Sequence, residues 1–73
     1  MINGNIEYAV IKGHVKAGTI ITKDILEEQD IVLSFADLGY VNLDGALRID
    51  EALGCRLSKD MSSLDVVTLN CIE

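Results

Sequence analysis

Apolar residues come along this chain in bursts of two to four, cut by glycines and small polar residues. Tyr8, Val10 and Ile11 predict a strand within Glu7 to Val15 that stops at Gly13. Lys16-Ala17-Gly18-Thr19 puts glycine where a tight turn needs positive φ, and Ile20-Ile21 continues as a short extended piece. Thr22 is placed to cap a helical turn or two over Lys23 to Gln29, its hydroxyl accepting from the amide of Asp24 or Ile25, with Ile25 and Leu26 inward. Asp30 to Phe35 reads as a strand, and Ala36 to Gly45 as a long connection. A helix over Ala46 to Leu53 ends at Gly54, a strand follows over Cys55 to Ser58, and Leu69 to Glu73 forms a last short helix or strand end.

Two stretches of this pattern are the same. Val15 to Glu27 aligns without a gap against Met61 to Glu73, 46 positions later. Each run has an apolar residue, a small or polar turn, a β-branched pair (Ile20-Ile21, Val66-Val67), a threonine (Thr22, Thr68) and an Asp or Asn two residues on (Asp24, Asn70). One structural unit is therefore expected twice, with both β-branched pairs in the core. The expected fold is mostly β, with short strands, one or two single-turn helices and pseudo-twofold internal symmetry. The clearest difference between the copies, Lys16-Ala17-Gly18 against Ser62-Ser63-Leu64, is where a binding surface is expected to have diverged.

The 73 residues make one domain, 1–73, with 1–6 a loose start. At 49% apolar residues the chain can fill a core despite having only three aromatics, so disorder is excluded. A domain of this size buries only about 60% of the surface its unfolded chain exposes, so stability of a few kcal/mol is expected. Twelve acids against six bases give a net charge of −6, a field that repels polyanions and argues against direct nucleic-acid binding. Cys55 and Cys71 have no patterned spacing, and no leader or membrane-spanning run precedes them; they are expected to be reduced core thiols of a cytoplasmic protein.

Val15 to Leu26, then Ile49-Asp50-Glu51-Ala52-Leu53-Gly54-Cys55-Arg56-Leu57, then Met61 to Glu73, resemble the SAF (antifreeze-like) domain. That family has a lysine-small-glycine turn, a hydrophobic pair followed by Thr-x-x-Asp, and a Leu-Gly-x-x-Leu segment before a second copy of the step. The resemblance implies a small β-clip, as in the domain that follows the barrel of sialic acid synthases and in type III antifreeze proteins. It also implies a domain that binds or positions something without reacting. The chain departs from the family in having no proline in Ser34 to Gly45. Lys16, Lys23 and Asp24 put charge where an ice-binding face is flat and apolar, which argues against ice binding. An accessory domain of a synthase would need a barrel ahead of it, and Met1 lies too near the fold for one.

Catalysis needs a nucleophile, a base and an orienting group. The one histidine, His14, lies in a turn with none of these flanking it, so no enzymatic activity and no cofactor are expected. Asn42, Asp44, Gly45 and Glu51 match positions three, five, six and twelve of a calcium loop, but Tyr40 holds the first ligand position and supplies no carboxylate. No metal is therefore expected.

Three functions remain. One is a non-catalytic binding module for a partner protein or a carbohydrate-like ligand, its surface formed by His14, Lys16, Thr19, Tyr40, Asn42 and Asp44, because loops on a rigid scaffold carry recognition. The second is a small acidic phage-type inhibitor, an anti-CRISPR or nucleic-acid mimic that blocks a basic groove with Asp24, Glu27, Glu28, Asp30, Asp50 and Glu51. The third is a small structural or regulatory subunit of an assembly, self-association included.

Overall fold

The computed structural model describes residues 7–73; the expected loose start at 1–6 lies outside them. Val15 and Met61, which head the two repeated runs, each donate an amide hydrogen bond to the other's carbonyl at 2.8 Å. Around this pair the same bonds form twice. Ile11 donates to Asp65 as Leu57 does to Thr19, Leu64 to Ile11 as Gly18 to Leu57, and Val67 to Ala9 as Ile21 to Cys55. Lys12 donates to Ile25 as Ser58 does to Cys71, and Glu27 to Val10 as Glu73 to Arg56. Interchanging the two halves carries each bond onto its counterpart, so the repeated sequence is also a repeated set of hydrogen bonds.

The chain is not the mostly-β clip of short strands expected from the sequence. Among the described residues there is no sheet; 28% are helical and 18% sit in bridges, all of them isolated antiparallel pairs such as Val10 with Val66 and Ile20 with Arg56. A ladder lengthens only while both chains stay extended. Here Gly13, Gly18 and Gly54 and one non-glycine, Leu64 at φ 69°, take positive φ close to the crossings. Each turns its segment away after one or two bonds, before a strand can form.

The largest departure is helix α1, Gln29–Asp37, which replaces the strand expected over Asp30 to Phe35 and the start of the connection after it. Of the consecutive Ile31-Val32-Leu33, only Val32 is buried. Gln29, Phe35 and Ala36, at helical spacing from it, are half-buried. The helix ends in a Schellman motif. Gly39, at φ 83°, donates to Ala36, and Tyr40 donates to Phe35 at 2.9 Å. The Phe35 and Tyr40 rings meet edge to face, 6.0 Å between centroids, so Tyr40 is held against the helix.

Elsewhere the elements are shorter than expected. Lys23–Ile25 and Leu69–Cys71 are single 3-10 turns at matching places in the two runs. Thr22 precedes the first but makes no side-chain cap bond; its carbonyl accepts from Ile25 instead, as that of Thr68 does from Cys71. The second helix, α2, is Ile49–Ala52 and is followed, as expected, by Gly54 at φ 85°.

The main core joins Ile11 with Leu57, Val15 with Met61 and Ile21 with Val67, three pairs related by the repeat, and adds Leu26, Ala52 and Cys71. The β-branched pairs split: Ile21 and Val67 are buried, whereas Ile20 is 43% exposed and Val66 half-buried. A second cluster of Val10, Val32 and Val41, with Tyr8, Phe35, Leu43, Leu64 and Val66 against it, seats α1. Leu57, fully buried, truncated in Leu57→Ala should lose about 2–5 kcal/mol, enough to unfold much of so small a domain. Gly18→Ala, at φ 88°, should lose about 1 kcal/mol, and Ile20→Ala well under that. Urea unfolding checks the order; equal losses at Leu57 and Ile20 would refute this placement of the core.

Candidate functional site

The residues expected to form a recognition loop fall into two separate groups. His14 and Lys16 are exposed and Thr19 half-buried on the turn that packs beside Met61, where Gly18 donates to Leu57 and the Ala17 amide to Asp60 Oδ1 at 2.8 Å. Tyr40, Asn42 and Asp44 are on the loop after α1, where the Asp44 amide donates to Asn42 Oδ1 at 2.9 Å. Among the described residues no hydrogen bond joins the two groups.

The acidic set is also divided. Glu27 and Glu28, with Glu7, Lys23, Leu26, Gln29 and Ile49, line a cleft of about 280 Å³. Gln29 Oε1 accepts from the Tyr8 amide at 2.9 Å, while its buried Nε2 has no hydrogen-bond partner among the described residues. Asp24, Asp30 and Asp50 flank this cleft in sequence without lining it. The Glu51 carboxylate is engaged within the fold, where it accepts from the Arg48 amide at 3.0 Å and satisfies a free donor at the start of α2. Asn42, Asp44, Gly45 and Glu51 are thus occupied with a turn and a helix end. Among the described residues no group of three or more His, Cys, Asp or Glu side chains is gathered around a metal position. Cys55 and Cys71 are free, Cys71 buried with its sulfur 3.5 Å from Thr68 Oγ1.

The distribution of charge over the fold is a feature that reading the chain segment by segment missed. Asp24, Glu27, Glu28, Asp30, Asp37 and Asp44 lie between positions 24 and 47, and no lysine or arginine does. The other six acids and all six bases lie outside that stretch and cancel. The whole charge of −6 therefore belongs to the segment that carries α1, most of which has no counterpart in the repeat. Among the described residues, four of the six large exposed apolar side chains are there as well: Ile31, Leu33, Leu38 and Tyr40. The first signal could have been found by locating the charge instead of totalling it; the second depends on burial, which the fold decides.

Among the described residues, no helix is long and apolar enough to cross a membrane. No protein-family model, curated protein or solved structure matches the chain, so the SAF resemblance gains no support from the comparisons.

The division of the acids has a direct test in stability. Glu51→Ala should lose about 0.5–1 kcal/mol through the freed Arg48 amide, and Asp24→Ala, at an exposed side chain, should stay within about 0.5 kcal/mol of the parent. Urea unfolding reads both; a loss at Asp24 as large as that at Glu51 would show that the acidic set cannot be divided this way.

Proposed function

We propose that this chain is a non-catalytic binding module that recognises a protein partner through the acidic segment 24–47, in the reducing cytoplasm. The observation that carries the proposal is the confinement of all net charge to that segment, on a scaffold whose own charges cancel. Charge kept only for solubility has no reason to collect on one segment. Concentrated there, it attracts a basic surface and orients the approach. Two free thiols, one of them buried, suit a reducing compartment.

The same observation favours a narrower form, an acidic inhibitor seated in a groove that otherwise holds nucleic acid. The two forms differ in whether duplex DNA or RNA competes with this chain for its partner.

The experiment is affinity capture at low salt, identification of the bound protein, and titration of the purified pair. Affinity should fall at least ten-fold between about 50 and 300 mM salt, as solvent-exposed charge pairs are screened. It should fall as far when the six acids from Asp24 to Asp44 become their amides, and little when Asp50 and Glu73 do. Binding unaffected by salt and by the six amides would refute the proposal; competition by duplex nucleic acid would select the inhibitor form.

A further inference from the structure

Ile31, Phe35 and Leu38 stand at i, i+4 and i+7 along α1 and the turn that closes it, so they share one edge of the helix. Ile31 is 36% exposed and Leu38 69% exposed, and Tyr40, 72% exposed, is clamped to Phe35 by the Schellman turn and the ring contact. The result is an apolar stripe about 10 Å long, two helical turns, fixed in place by backbone hydrogen bonds. Asp30 and Asp37 lie on the same helix, and no base occurs anywhere on the segment. Phe35 is accounted for by its packing beside Val10, Val32 and Val41, but a helix kept only for solvation would carry polar residues at Ile31 and Leu38 and charges of both signs.

We infer that this stripe docks an amphipathic helix of the partner protein, with apolar residues at i, i+3 or i+4 and i+7 against Ile31, Phe35, Leu38 and Tyr40, and with flanking Lys or Arg facing Asp30 and Asp37. The inference rests on the protein-partner reading above and specifies its chemistry. Apolar anchors surrounded by charge of one sign are how an amphipathic helix is received, and the charge selects its sign. A second copy of this chain does not fit, since it would bring one acidic segment against another and like charges oppose contact.

The probe is a synthetic helix of about 18 residues built from leucine and lysine, with the leucines on one stripe. It is titrated into the 15N-labelled chain and followed by amide chemical shifts. Two control peptides accompany it, one with every leucine replaced by alanine at equal charge and one with every lysine replaced by glutamate. The Leu/Lys helix should shift residues 30 to 44 and bind at least ten-fold more tightly than either control. Leu38→Ser, at an exposed side chain, should weaken it several-fold with unchanged thermal melting; Tyr40→Ser should weaken it as far with a small loss of stability through the missing ring contact with Phe35, and Asp37→Lys should weaken it as well. Equal binding by the Ala/Lys peptide would overturn the apolar stripe and leave the acidic segment standing. Binding by neither cationic peptide would count against both. Shifts outside the segment, or a concentration-dependent dimer in sedimentation that Leu38→Ser abolishes, would also overturn the inference.

Discussion

The reciprocal bond between Val15 and Met61 is the constraint on which the rest of this fold depends. It joins residues 46 positions apart, so forming it closes a long loop at an entropic cost of several kcal/mol that the surrounding contacts must offset. Both side chains are buried, and the pair sets the register at which Ile11 meets Asp65 and Leu57 meets Thr19. A slip of one residue would turn Ile11, Ile21, Leu57 and Val67 outward together, so the core holds the register as firmly as the hydrogen bonds do. Isolated bridges suffice here because several of them, Val15 with Met61 and Ile11 with Leu26 among them, join residues whose side chains lie in the core.

On this scaffold the acidic segment is only partly a separate construction, since Leu26 belongs to the main core while α1 stays outside it. Its six carboxylates repel one another with no cation among them, a cost the compact state bears. Leu26 ties the start of the segment into the main core, and what holds α1 down is the small cluster of Val10, Val32 and Val41, with Phe35 and Leu64 beside them. The main core would be complete without α1, since no residue of that helix belongs to it. The chain thus seats α1 on a small cluster of its own, beside a doubly bonded frame built around the main core.

How much of this is legible in the sequence depends on whether the signal is local. The turn at Gly18, the stop at Gly54 and the correspondence of Val15 to Met61 are legible because glycine, β-branched pairs and threonine act on their immediate neighbours. The expected strand over Asp30 to Phe35 fails for the opposite reason. Three consecutive apolar residues fit a strand or a buried helix equally, and what decides is tertiary packing: of the three only Val32 joins Val10 and Val41, with Phe35 one turn on beside it. The mostly-β expectation fails in the same way, because apolar bursts show which residues are buried but not how far the pairing between them continues. At the candidate site, the acids are visible one by one, and their confinement emerges once their positions are set against those of the bases.

The two copies of the repeat differ most at one turn, and that difference ties the frame to the charged face. Divergence between Lys16-Ala17-Gly18 and Ser62-Ser63-Leu64 is expected from the sequence to mark a binding surface, yet both turns make the same backbone hydrogen bonds and both take positive φ, 88° at Gly18 and 69° at Leu64. Around Gly18 the space is open: a Cβ there would meet nothing within 4 Å. Leu64 occupies the equivalent position at φ 69°, a conformation that costs a leucine about 1–2 kcal/mol, and its side chain packs into the cluster beneath α1. Apolar contact in the second cluster offsets that strain. The divergence therefore gives the second copy of the turn a structural role, supporting the acidic helix, while the first copy stays open to solvent. The asymmetry of the repeat and the placement of the charged face are then one feature, since the half that carries Leu64 is the half against which the helix can rest.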